Sequence, residues 1–433
     1  MNDESNIMKA KQFIIDENFK LKALNWASTF DHYSYLNFNN LQIQYAGYAP
    51  FPAMLAVGSN SFVEANTPIA FSEFKKFIED SPGYKFGYLG YDLKNEIEAL
   101  KSNNPDHCEF PDLSFFEPLH LLHFAENNVT IESQNPEDIF QKILNSSVFQ
   151  KIKSEPLKVK QRISKEEYID KVRLIRDHII EGDVYELNFC MEFYAEDVQL
   201  CPEQLFLSLS IQNPMPFGTI LKNKSKYLIS ASPERFLKKI GNKLISQPMK
   251  GTSKRSSNPV EDQMLYDALR ESEKEQSENM MIVDLVRNDL ARSSKPGTTH
   301  VEEIFGVYSL SKVHQMISTI SSELKPEVDL IAAIKNAFPM GSMTGAPKIK
   351  AMELIEQLEE TKRGVYSGAF GYIDPDFNFD FNVVIRSIVY NKANGYLSFQ
   401  AGSAITYDSI PEKEYEECLL KAEAIKRILE DGS

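Results

Sequence analysis

The sequence predicts an α+β fold, and three observations carry that expectation. Strand-forming runs are joined by short hairpin-type turns, as at Gly241-Asn242 and Asn394-Gly395. Helical stretches with recognisable start signals alternate with those hairpins. The length of 433 residues exceeds what one simple core serves, so either two domains or one large intertwined body is expected.

Residues 1–150 read as an N-terminal α+β subdomain, with strand-like YLNFNNLQIQYAGY (35–48) and YKFGYLGYDL (84–93) around a short helix, SEFKKFIED (72–80). A lysine-rich stretch with one proline, KIKSEPLKVKQRISKEEY, marks a soft boundary near 150–162, and residues 160–433 form the second unit. Ser164 with Glu167 three residues on is a capping-box pattern that opens a helix. Next, KYLISASPERFLKKIGNKLISQPMK (226–250) reads as strands broken at Ser232-Pro233-Glu234 and at Gly241-Asn242, which leaves Glu234 and Lys250 near strand ends. Asn258 as N-cap, Pro259 at N1 and Glu261 at N3 start a helix that is interrupted near Ser272. Residues 300–324 supply one or two strands, 329–338 an Asp-capped helix, and 339–360 a glycine-rich turn feeding a helix with Pro347 at N1. Residues 364–406 read as three strands, and the stretch from Pro411 as a closing helix.

Composition narrows the functions. A net charge of -15 argues against nucleic-acid or anionic-membrane partners, which need a basic footprint. Cys108, Cys190, Cys201 and Cys418 lack metal or disulfide spacing and read as free thiols. With no apolar run long enough for a bilayer and no leader-like apolar region at the start, a cytoplasmic location is expected.

Two glutamate pairs stand at i, i+3 spacing, Glu275 with Glu278 and Glu414 with Glu417, the latter followed by Lys421 on the same face. They are either two solvated helix faces or a shared Mg²⁺ site built from carboxylate oxygens, waters and an anionic ligand. Thr344, Gly345 and Ala346 at a helix start either make a simple entry turn or bind an anion with free N–H groups. Lys250, placed after a strand and before Gly251-Thr252, is either a surface lysine or a desolvated amine with a lowered pKa, free to act as nucleophile or base. His314 in an apolar strand suits a hydrogen-bonded core histidine. Arg386, inside the apolar run VVIRSIV, needs either an internal carboxylate or a ligand carboxylate.

Taken in order, the segments ASPERFL, PMKGT, SENMMIVDLVRNDLAR, VYSLSKVHQMIST, PMGSMTGAPKIKAMELI, GVYSGAFGYI, FNVVIRSIV, AGSAIT and EYEECLLKAEA strongly resemble the chorismate-utilising enzymes. That family comprises anthranilate synthase component I, aminodeoxychorismate synthase component I and the isochorismate synthases. The resemblance spans about residues 165–425 and is faint before residue 150, chiefly FGYLGYD.

The resemblance implies intertwined antiparallel β-sheets, sandwich-like and covered by helices, with a deep site for Mg²⁺ and chorismate. It makes Glu278 and Glu417 metal ligands, with Glu275 and Glu414 beside them through water. The chorismate ring carboxylate would meet the metal, backbone near Gly402 and Lys421. Arg386 and Tyr366 would take the enolpyruvyl carboxylate, Gly251 and Thr252 would line the ring, and Thr344 is expected in the binding set. Glu234 matches the general acid for the departing C4 hydroxyl, and His314 a histidine near it.

Lysine in P-x-K-G-T resembles the aminodeoxychorismate synthases and implies that Lys250 forms a covalent intermediate which ammonia then displaces. No G-x-C-x-G elbow occurs, so a separate glutamine amidotransferase subunit is the implied partner. The alternatives are anthranilate synthase component I and a non-catalytic chorismate-binding subunit. Glu186 stands where the family commonly has glutamine, and isochorismate synthases a lysine base, while Asn279 stands where histidine is frequent. LNWAST (24–29) does not reproduce the LLES element of tryptophan-regulated members.

Overall fold

The computed structural model describes residues 8–149 and 155–432, so residues 150–154 of the expected connection lie outside the described residues. Two antiparallel sheets, one of 12 strands and one of 10, form the body, and helices cover them. Both sheets draw strands from both segments of the chain. His32–Leu36 pairs with Phe217–Asn223 in the larger sheet, and Lys85–Leu89 pairs with Ala369–Ile373 in the smaller. The larger core runs from Phe19 to Leu429, so segments 1–150 and 160–433 share one interior.

Helix starts follow their local chemistry. Ser164 and Glu167 close both hydrogen bonds of the capping box on Lys165–Glu181, which ends at Gly182 in the left-handed region (φ 86°). The Asn258 side chain accepts from the N–H groups of Val260 and Glu261, and Ser272 caps Glu273–Ser293 in the same way through Glu275. Pro347 is the N-cap of Lys348–Leu358, one position before the expected N1. No helix among the described residues is long and apolar enough to cross a membrane.

Residues 364–406 hold four strands where three are expected. Ala369–Ile373 and Phe379–Val383 belong to the smaller sheet, Ser387–Asn391 and Tyr396–Ile405 to the larger. VVIRSIV is therefore not one strand. The chain crosses between sheets at Val384–Arg386, and Arg386 takes φ +51° at the crossing. A run of β-branched residues is equally apolar on either side of such a break, which hides it from periodicity.

A second crossing lies alongside. Lys226–Ser232 is in the larger sheet and Arg235–Ile240 in the smaller, with Pro233-Glu234 between them. The crossings bond to each other: Val383 N–H donates to the Glu234 carbonyl (3.0 Å), Ala231 N–H to the Arg386 carbonyl (3.1 Å) and the Ser232 hydroxyl to the Val383 carbonyl (2.7 Å). Beside them Arg235, fully buried, donates Nε to Asp380 Oδ1 (2.8 Å) and Nη2 to Oδ2 (3.0 Å), and also bonds Gln247 and the Ala49 carbonyl. Removing one partner of a buried ion pair leaves a charge without an answer. Arg235→Ala is expected to lower unfolding stability by about 3–5 kcal/mol, read as a shift of the urea midpoint.

Candidate active site

Lys250 lies near the start of Met249–Lys254. That strand and Lys243–Gln247 pair end to end with Val313–Glu323, and the register slips between Met249 and Thr252. Gly251 sits in the slip at φ +88°, and a Cβ there would stand 2.9 Å from Glu275 Oε2. A glycine therefore lets this strand press against the helix Glu273–Ser293. Gln315 holds the slip, accepting from the Thr252 hydroxyl (3.0 Å) and donating to the Gly251 carbonyl (2.7 Å).

Across from Lys250, Glu186 opens the strand Glu186–Ala195. Its neighbours are Gly345 and Ala346, which form a two-residue strand and not a helix start. The Glu186 carbonyl would lie 2.1 Å from a Cβ on Gly345, so only glycine permits this approach. Lys250 Nζ donates to Glu186 Oε1 at 2.7 Å, the two side chains being 12% and 3% exposed. Burial pulls the Lys250 pKa down, but the carboxylates of Glu186, Glu278 and Glu417 outweigh it and hold the amine above its ordinary value. The expectation of a lowered pKa is thus corrected: unliganded, this amine is an ammonium ion, because burial has brought acids with it.

Glu234 behaves in the opposite way. It is buried, and desolvation pushes its carboxyl up to about 7, opposed by the Ser342 hydroxyl, Lys250, the Met249 N–H and Arg386. Ser342 Oγ donates to Glu234 Oε1 at 2.7 Å. The carboxyl is therefore substantially protonated near neutral pH, as a general acid requires. Burial draws the Arg386 pKa down, and the groups acting against that, Tyr45 and Glu234, do so through their charge and not by contact. Among the described residues no carboxylate pairs with its guanidinium.

The helices Glu273–Ser293 and Pro411–Asp431 bring the four glutamates into one field, centred on Lys274: burial lowers its pKa, and Glu278, Glu275, Glu414 and Glu417 together outweigh that. Burial raises the Glu278 carboxyl above the usual range, with Lys250 and Lys274 opposing and Glu275 and Glu186 reinforcing. Glu417 lies below that range because Lys421, 2.8 Å away, joins Lys250 and Lys274 in outweighing its desolvation. Among the described residues the one trio with ligand atoms within 4.8 Å of each other is His178, Glu181 and Asp183, so the four glutamates do not close a chelate of their own. An open set of acid oxygens around shared cations suits Mg²⁺, which keeps several waters and takes one or two carboxylates plus an anionic ligand.

The remaining expected residues divide. Lys421 Nζ donates to the Gly402 carbonyl at 2.9 Å, which joins those two. Tyr366 is buried against Cys190 Sγ (3.5 Å). Thr344 is fully buried with its hydroxyl turned to the Met340 carbonyl (3.2 Å). His314 engages Ser309 (2.9 Å) and Asp262 (3.1 Å) through its two ring nitrogens, which ties its strand to the helix Pro259–Glu271 and not to Glu234.

Ser342, Gln315 and Lys274 were not singled out from the sequence. Ser342 reaches Glu234 across 108 positions, and no spacing rule spans that distance. Lys274, one position before Glu275, was legible only as a helix-surface cation. Gly345→Ala is expected to force the Glu186 backbone away and cost about 1–3 kcal/mol or more by overpacking, seen as a lower melting temperature.

Residues 31–427 match the family described as chorismate binding enzyme. The chain is 36% identical over 397 residues to "Probable aminodeoxychorismate synthase, chloroplastic" of Oryza sativa subsp. japonica, covering 82% of this chain but only 44% of that protein. It is 30% identical over 394 residues to "Aminodeoxychorismate synthase component 1" of Bacillus subtilis (85% of this chain, 83% of that one). The crystal structure of anthranilate synthase component I from Streptococcus pneumoniae superposes with a TM-score of 0.78 at 26% identity, covering 89% of this chain and 94% of that one. On the extent of these matches, the chain belongs to the chorismate binding enzyme family.

Proposed function

We propose that this chain aminates chorismate at C4, giving 4-amino-4-deoxychorismate, a precursor of p-aminobenzoate and folate, through a covalent intermediate on Lys250. The carrying observation is an amine, Lys250, 12% exposed, whose charge acts on a buried acid, Glu234, with a pKa raised to about 7. The names of the rice and Bacillus relatives support the reading.

Glu278 and Glu417 would hold Mg²⁺, with Glu275 and Glu414 reached through water. Bound there, Mg²⁺ supplies positive charge that meets the ring carboxylate and offsets the glutamates. Lys421 and backbone near Gly402 complete that end. Arg386, a half-buried cation paired with no carboxylate among the described residues, takes the enolpyruvyl carboxylate beside Tyr366, while Gly251, Thr252 and Thr344 shape the walls. The Lys250 amine adds to C2, the two ring double bonds shift, and the C4–O bond breaks as Glu234 protonates the leaving hydroxyl to water. Ammonia then adds at C4, the double bonds shift back, and the C2–N bond to Lys250 breaks. His314, already satisfied by Ser309 and Asp262, anchors the strand that carries Gln315.

A separate glutamine amidotransferase subunit would supply the ammonia, in keeping with "component 1" in the Bacillus relative's name. The proposed compartment is the cytoplasm, in keeping with four unpaired cysteines.

Purified chain with chorismate, Mg²⁺ and ammonium salt is expected to yield aminodeoxychorismate by liquid chromatography with mass detection, without pyruvate. Product should fail without Mg²⁺ and in Lys250→Ala. Anthranilate plus pyruvate would instead assign the anthranilate synthase reaction, and no turnover a binding role. Because the working form of Glu234 is its acid, the amination rate is expected to fall as pH rises through about 7. Glu234→Gln should lose about 10²–10⁴-fold in kcat and abolish that limb of the pH profile.

A further inference from the structure

We propose that Glu186 is a catalytic residue: it takes the proton from the Lys250 ammonium before the amine attacks and returns it when the amine is released. This rests on the nucleophilic role proposed for Lys250.

Geometry gives the ammonium one bonded acceptor among the described residues. Lys250 Nζ has one hydrogen-bonded carboxylate, Glu186 Oε1 at 2.7 Å; Glu186 is buried and Lys250 is 12% exposed, so that carboxylate is the nearest acceptor for the proton. Among the described residues Lys250 is in turn the one side-chain partner of Glu186. Three other acids face Lys250 through space. Glu278 and Glu417, on the two covering helices, act on Lys250 through their charge and are not hydrogen-bonded to it. Glu234 accepts from Ser342 and acts as an acid, so it cannot also take this proton. Glu275 lies against the adjacent Gly251, and Lys274 and Arg386, which act on the same set of acids, are cations.

The proton ledger closes. Lys250 ammonium and Glu186 carboxylate become amine and carboxylic acid. Attack on C2 makes a secondary ammonium, while Glu234 gives its proton to the departing C4 hydroxyl. Ammonia then bonds to C4, the C2–N bond breaks, and the lysine leaves as a neutral amine. Glu186 reprotonates that amine, and the new C4 ammonium returns a proton to Glu234. Chorismate plus ammonia becomes aminodeoxychorismate plus water, and both acids are reset.

The test mixes the intact chain with chorismate and Mg²⁺, without ammonia, and follows the Lys250 adduct by rapid quench and protein mass spectrometry from pH 6 to 9. Wild type is expected to show only the fall above about pH 7 set by Glu234. Glu186→Gln is expected to slow adduct formation at neutral pH by about 10²-fold or more, and the remaining rate should climb with pH as Lys250 loses its proton to solvent. Glu186→Asp, which keeps a carboxylate, should restore part of the rate and the wild-type profile. It also serves as the arm that remains should the glutamine variant not fold. A glutamine variant with wild-type rate and profile, or an aspartate variant with the inverted profile, would overturn the role of Glu186 while leaving Lys250 as nucleophile. No adduct and no aminodeoxychorismate from wild type would overturn both.

Discussion

Twin crossings, where Ser232-Pro233-Glu234 and Val384–Arg386 carry the chain from one sheet to the other, hold the architecture and the chemistry in one place. They are hydrogen-bonded to each other through Glu234, Val383, Ala231 and Arg386 backbone groups. A crossing leaves the regular ladder, so its side chains are released from the strict alternation of a pleated strand. An acid and an arginine thus act on each other through their charges, Glu234 bonded to Ser342 and Arg386 paired with no carboxylate among the described residues.

Neighbouring residues at the crossing show how burial serves opposite ends. Arg235 and Glu234 are adjacent and both buried. Arg235 is answered by Asp380, Gln247 and the Ala49 carbonyl, so its charge is a structural tie between the first segment and the rest. Glu234 has the Ser342 hydroxyl, the Met249 N–H and the charges of Lys250 and Arg386, and desolvation outweighs them, so its proton stays. The difference lies in what each side chain meets, not in how deeply it is buried.

Lys250 completes the pattern from the other side. Its buried charge requires carboxylates, and these come from a strand through Glu186 and from two helices through Glu278 and Glu417. Bringing four elements that close demands backbone without side chains in the way, which is why glycine stands at 251 and 345. Asn279 fixes one helix by accepting from Ser318 at 2.6 Å, so that departure from the family pattern is a packing contact.

The sequence by itself determined the local pieces, because caps, turns and hairpins depend on neighbours a few positions apart. The Ser164 capping box, the Asn258 cap, the break at Ser272 and the turn at Gly241-Asn242 all stand where residue chemistry puts them. The α+β class and the family were legible in the same way, from ordered motifs. Only the tertiary structure decided that VVIRSIV is a crossing, that Lys250 is an ammonium held by Glu186, and that Ser342 serves Glu234. Each depends on groups dozens to more than a hundred positions apart, and charge and desolvation at a site are properties of everything that surrounds it, which no single stretch of chain contains.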